Sequence, residues 1–166
     1  SVLRAIERLG FEAELTNDPS KILRASRVIL PGVGAFGRAA DKLRGAGLDQ
    51  AIYDYVETGK PFLGICVGMQ LLLEKGEEFG QHRGLGIIPG NVSKVSTKVQ
   101  TGRGSRIPLI GWTSVHEAHR GAWEGTPFSR DASQNAFYFV HSYQAIATDK
   151  NHHIAVHRFG DAEIVS

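Results

Sequence analysis

The stretch Pro61-Phe62-Leu63-Gly64-Ile65-Cys66-Val67-Gly68-Met69-Gln70-Leu71-Leu72-Leu73 decides how the chain is read. Phe62, Leu63 and Ile65 form a short apolar run of strand type, and residues 69–73 read as the start of a buried helix. Between them lies Gly64-Ile65-Cys66-Val67-Gly68, a G-x-C-x-G turn. It is the cysteine version of a nucleophile elbow, in which a sharp strand-to-helix turn exposes a side chain that would otherwise be buried. A nucleophile in a strained backbone conformation needs neighbours without Cβ atoms. The following helix points its N-terminus at the sulfur, which favours thiolate. A lone cysteine in an α/β core is more often a buried structural residue. The paired glycines at this junction point to a nucleophile instead.

Upstream, Val2, Ala5, Ile6 and Leu9 share one helical face, and Gly10 is a stop signal. Residues 11–15 alternate as a short strand. Asn17-Asp18-Pro19 is a helix start, with Ile22, Leu23 and Ala25 pointing inward. Val28-Ile29-Leu30 is a buried strand of parallel type, ended by Pro31. The glycine-rich Pro31-Gly32-Val33-Gly34-Ala35-Phe36-Gly37 follows. No Gly-Lys-Ser/Thr comes after it, so it is not a Walker loop. The acidic residue that a dinucleotide fingerprint wants is not evident either. The remaining reading is a loop whose backbone N–H groups approach a substrate oxygen. Ala39, Ala40 and Leu43 continue as a helix, and Leu48, Ile52, Tyr55 and Val56 make another, closed by Gly59.

Downstream, residues 74–80 read as a helix end and loop. From Gly84 the pattern changes to strands: 86–90, an alternating and half-exposed 92–99, then 107–115, 137–147, 154–159 and 162–165. Residues 101–105 form a polar glycine loop, and Gly160-Asp161 a turn. The first half is α/β and the second mostly β.

The chain has seven histidines. His116-Glu117-Ala118-His119 has the wrong spacing for a zinc helix, so no metal is expected. His152-His153 reads as solvated, and His157, alternating with Ala155, as structural or exposed. His141 follows an apolar run at a strand end, where active-site residues often lie.

With 166 residues, one domain spanning 1–166 is expected. A formal net charge of +2 argues for neither nucleic acid nor a membrane surface. The single cysteine fits a reducing compartment and excludes an internal disulfide. With no membrane-spanning run and no opening signal peptide, the expectation is a cytoplasmic protein.

Several stretches together resemble the class I, triad-type glutamine amidotransferase domain, in the branch serving histidine biosynthesis. They are Pro31-Gly32-Val33-Gly34-Ala35-Phe36, Gly64-Ile65-Cys66-Val67-Gly68-Met69-Gln70-Leu71-Leu72, Gly84-Leu85-Gly86-Ile87-Ile88-Pro89-Gly90, Ile107-Pro108 with Gly111-Trp112, and Tyr138-Phe139-Val140-His141-Ser142-Tyr143. The resemblance implies a flavodoxin-like, three-layer α/β fold, with a mostly parallel central sheet and an additional antiparallel β region. It implies that Cys66 attacks the side-chain amide of L-glutamine to give a thioester, which water hydrolyses. Val67 with Val33 or Gly34 would hold the oxyanion through backbone N–H groups. Gly32, Gln70, His141, Ser142 and Tyr143 would line the glutamine pocket. Ammonia would pass to a (β/α)8-barrel cyclase subunit, making imidazole glycerol phosphate and AICAR in a heterodimer, with Trp112 on the partner face. No cofactor is implied.

The sequence departs from the family pattern in three places. Leu109-Ile110-Gly111-Trp112-Thr113 stands where the family has His-Met-Gly-Trp-Asn. The family's leading strand and its Gly-Asn loop are not in the sequence. No His-Pro-Glu, the family's triad histidine and glutamate, occurs in it. The expectation is a domain incomplete at both ends, whose residues alone give no turnover. Two other classes stand beside the glutaminase: a non-catalytic domain keeping only fold and partner surface, and a different cysteine enzyme using His141 as its base.

Overall fold

The computed structural model describes residues 1–95, 107–126, 128, 136–159 and 162–165. Helix α1 (Val2–Arg8) forms where the sequence predicts, but none of its residues is buried, and Val2, Leu3 and Ile6 are only half-buried. Residues 11–15 are not a strand, and Phe11 and Leu15 are exposed. Alternation makes a strand only where a neighbouring strand takes up the backbone hydrogen bonds, and none pairs with this segment among the described residues.

Helix α2 (Pro19–Arg24) starts as its cap dictates, with the Asp18 carboxylate accepting the Ser20 N–H at 2.8 Å. Only Ile22 of its apolar residues is buried. Strand β1 (Val28–Gly32) runs through Pro31 rather than ending there. It pairs in parallel with β2 (Phe62–Cys66) and is half-buried. Between them, α3 (Phe36–Gly45) and α4 (Leu48–Glu57) bring Phe36, Ala40, Leu43 and Ile52 into one core. Val67, Leu71, Leu72 and Leu73 complete it from the elbow side.

The helix after the elbow is much shorter than expected. α5 (Val67–Gln70) is a single turn, and Leu73 already belongs to β3 (Leu73–Gly76), where the sequence suggested a helix end and loop. The buried leucine run serves as a connection into a second sheet. That sheet has the order β4 (His82–Arg83), β3, β5 (Ile88–Lys94), β8 (Tyr143–Ala147). A third has the order β10 (Ala162–Val165), β9 (Ala155–Phe159), β6 (Leu109–Glu117), β7 (Ala136–His141). The run 137–147 thus divides at Ser142 between two sheets.

Among the described residues the parallel pairs are β1 with β2 and β3 with β5; the other pairs are antiparallel. The α/β first half and β-rich second half follow the sequence reading. The end of the 92–99 strand, the loop 101–105 and the turn at Gly160-Asp161 lie outside the described residues. No described helix is long and apolar enough to cross a membrane.

Candidate active site

Cys66 ends β2 with φ 54° and ψ −119°, a left-handed conformation that side chains other than glycine rarely adopt. Holding it there costs on the order of 1–3 kcal/mol, which the surrounding packing must offset. The glycines show how it does so. A Cβ on Gly68 would sit 1.8 Å from the Leu30 carbonyl oxygen, and one on Gly64 would sit 2.6 Å from the Met69 Cα. Helix and strand can therefore close on each other only at bare backbone. The turn lifts the Cys66 thiol out of the sheet, where it is free and exposed.

The parallel register places Gly32 opposite Cys66, at the carboxyl ends of both strands. Ligands of open α/β sheets bind at such strand ends. Val33 and Gly34 leave the sheet at once from this point. Val33 is 91% exposed, and Gly34 has φ +89°. Among the described residues, neither N–H donates to another group. Val67 is the first helical residue, so its own N–H has no partner within the helix. Its side chain is buried in the core, which fixes that N–H beside the sulfur-bearing residue.

Gln70, at the end of α5, is buried, and its Nε2 donates to the Tyr143 carbonyl at 3.4 Å. His141 Nδ1 lies 2.9 Å from the same oxygen, so Nδ1 carries the proton there. Ser142 lies between them, and its carbonyl accepts the Val95 N–H at 2.9 Å. The five residues predicted to line a pocket thus fall in two groups. Gly32 belongs to the elbow, His141 to Tyr143 form the β7–β8 junction, and Gln70 bridges them.

A family model for the CobB/CobQ-like glutamine amidotransferase domain matches residues 4–155. The chain belongs to the glutamine amidotransferase family. Its relatives include imidazole glycerol phosphate synthase subunit HisH of Wolinella succinogenes, 40% identical over 89% of this chain and 69% of that protein. The HisH subunit of Rhodopirellula baltica is 46% identical over 86% of this chain and 65% of that protein. The chloroplastic imidazole glycerol phosphate synthase hisHF of Arabidopsis thaliana is 40% identical over 91% of this chain, which covers 24% of it. The chain therefore spans about two thirds of the length of the HisH subunits it matches. A solved structure described as a glutamine amidotransferase matches 98% of the chain and 80% of its own at a TM-score of 0.59 and 18% identity, which supports the fold.

The contact of Glu78 and the partner of His153 escape sequence reading, and His157 takes the structural one of its two expected roles. Glu78, in the turn after β3, accepts the Phe36 N–H at 2.9 Å, 42 residues away. His157, expected to be structural or exposed, is 0% exposed. Its ring stacks on Phe139 at 3.9 Å and meets His141 edge-on at 5.6 Å. Burial pushes its pKa down to about 4, with the neighbouring His141 adding to the shift. Burial also lowers His141, while its bond to the Tyr143 carbonyl pulls the other way. His153 is not simply solvated either, since its Nε2 accepts the Ala147 N–H at 3.0 Å. Among the described residues, no group of three or more His, Cys, Asp or Glu is placed to hold a metal.

Trp112, on β6, is 71% exposed and leans on Tyr138 with ring centroids 5.5 Å apart. The β6–β7 register sets Ile110 opposite Val140 and Trp112 opposite Tyr138, and all four are exposed. This is an apolar face, not a core.

Proposed function

We propose that the chain is the glutaminase part of an imidazole glycerol phosphate synthase, hydrolysing L-glutamine to glutamate and ammonia. The observation that carries this reading is Cys66 at positive φ, facing Gly32 across the ends of two parallel strands. The Cys66 thiolate attacks the side-chain amide carbon and forms a C–S bond. The carbonyl electrons move onto oxygen, where the N–H groups of Val67 and of Val33 or Gly34 stabilise the charge. The C–N bond breaks, the nitrogen takes a proton, and ammonia leaves behind a thioester. Water adds to that carbon, the C–S bond breaks, and glutamate and the thiolate result.

Gly32, Gln70, His141, Ser142 and Tyr143 form the walls of the glutamine pocket in this reading. His141 is a wall residue rather than the base in this reading, because the resemblance places the Tyr138–Tyr143 stretch against the glutamine, and its Nδ1–H contact with the Tyr143 carbonyl fixes the ring. The proton donor and the base for water belong to the family's His-Pro-Glu motif. Ammonia then passes to a (β/α)8-barrel cyclase subunit, with Trp112 and its exposed neighbours Ile110, Tyr138 and Val140 on the docking face. The exposure of that tryptophan supports an interface role, because a 71% exposed indole contributes little to the core. The heterodimer works in the cytoplasm and needs no cofactor.

Glutamate release by the full-length protein with its cyclase, compared with Cys66→Ala, tests the proposal. Turnover should fall on the order of 10⁶-fold, as when a protease nucleophile is removed. Turnover that survives the substitution would exclude the thioester route.

A further inference from the structure

Helix α3 begins at Phe36 with an unfavourable cap. Its N-cap residue is Ala35, which has no side-chain oxygen to offer, and no cap hydrogen bond forms from that position. The acceptor comes from elsewhere in the chain. Glu78 reaches in from the turn between β3 and β4, and its Oε2 takes the Phe36 N–H at 2.9 Å. The Phe36 ring is fully buried, and a Cβ on Gly76, at the end of β3, would lie 2.8 Å from it. Phe36 is thus held by its ring and by its N–H, both from the β3 side.

That anchor lies at one end of a very short span. At the other end Gly32 pairs with Cys66 and presses on the elbow, where a Cβ would meet the Gly68 N at 2.5 Å. Only Val33, Gly34 and Ala35 lie between. The Val33 side chain is almost wholly exposed, and a Cβ on Gly34 would have nothing within 4 Å. The loop therefore has little packing of its own at Val33 and Gly34. The direction of their N–H groups is set by the two anchors.

We infer that Glu78 is a positioning residue: by supplying the missing cap of α3, it aims the Val33–Gly34 amides at the oxyanion formed on Cys66. This rests on the glutaminase reading above. It differs from a purely structural cap because a stability role alone leaves oxyanion stabilisation untouched.

Two reagents separate these roles. A chloromethyl ketone built on L-glutamine reacts by thiolate addition to its carbonyl. The resulting alkoxide needs the loop donors; the sulfur then displaces chloride from the methylene, and the first C–S bond breaks as the C=O re-forms, leaving a thioether. Iodoacetamide alkylates the same sulfur by direct displacement of iodide, with no oxyanion. The full-length protein, Glu78→Ala, Glu78→Gln and Glu78→Asp are compared with both, and Cys66→Ala serves as the blank. Glu78→Ala should slow the ketone about 10- to 100-fold, somewhat less than the loss of a whole oxyanion donor, with iodoacetamide changed less than about twofold. Glu78→Gln keeps an acceptor oxygen at the same reach and should restore most of the ketone rate. Glu78→Asp, one methylene too short, should behave like alanine, and it replaces alanine if that variant does not fold. Equal slowing of both reagents, no slowing of either, or a glutamine variant as slow as alanine overturns the inference. A parent protein that iodoacetamide labels but the ketone does not removes the glutaminase reading, and this inference with it.

Discussion

Gln70 donates to the carbonyl oxygen of Tyr143 across 73 residues of sequence, at 3.4 Å. This contact ties the one-turn helix behind the nucleophile to the β7–β8 junction. The carbonyl is shared with His141, so one oxygen accepts from two side chains. Gln70→Glu should therefore be worse than Gln70→Leu. A carboxylate offers no N–H to that carbonyl and is itself buried, at a cost above the roughly 1–3 kcal/mol of an unsatisfied neutral group. Leucine removes the polar group along with the bond. Thermal melts of the two variants check the order, and a more stable glutamate variant would contradict it.

The elbow glycines differ sharply in what they tolerate. Gly68→Ala drives a methyl onto the Leu30 carbonyl oxygen, where 1.8 Å is available. Backbone cannot yield as a flexible side chain does, so a loss at or above the usual overpacking cost of about 1–3 kcal/mol is expected. Gly45→Ala is the control. It lies in α3, where a Cβ meets nothing within 4 Å, and it should be neutral or stabilising by up to about 1 kcal/mol. Urea midpoints distinguish the two.

How much of this was legible in the sequence depends on the range of the cause. The elbow was legible because its chemistry is local: Gly64, Cys66 and Gly68 report on one turn. The same holds for the Asp18 cap and the parallel strand 28–30. The length of the helix after Cys66 was not legible, since a run of leucines is equally apolar in a buried helix and in a buried connection to a sheet. The Glu78–Phe36 bond was invisible because nothing local links two residues 42 apart. The alternation of residues 11–15 misled for the opposite reason, being a local pattern without the partner strand it requires. His157 alternates with Ala155 as a strand residue should, but periodicity does not say which face another sheet element covers.

Trp112→Ala should leave stability within about 0.5 kcal/mol of the parent, because the indole is 71% exposed. Association with the cyclase should weaken by about 2 kcal/mol, the scale of an interface anchor. Calorimetric titration against the cyclase, run beside a thermal melt, gives both numbers. A destabilised variant with unchanged affinity would remove Trp112 from the docking face.

Acid should loosen the fold through His157. Folded, this imidazole gains its proton only near pH 4, pushed down first by burial and then by His141. In the unfolded chain it does so near the ordinary value of 6.5. Between those values the unfolded state binds more protons, so stability rises with pH across the window. The contribution is complete above about 6.5 and is lost as pH falls through about 4. The difference is worth on the order of 3 kcal/mol. His141 is also lowered by burial and acts in the same direction. His157→Phe keeps a flat ring where the imidazole stacks on Phe139 at 3.9 Å, while removing the titrating group. Urea unfolding of both proteins between pH 5 and pH 7, above most of the carboxylate range, isolates the histidine slope. The parent should lose stability toward pH 5 and the phenylalanine variant should lose distinctly less. Identical slopes would assign the acid sensitivity to other groups.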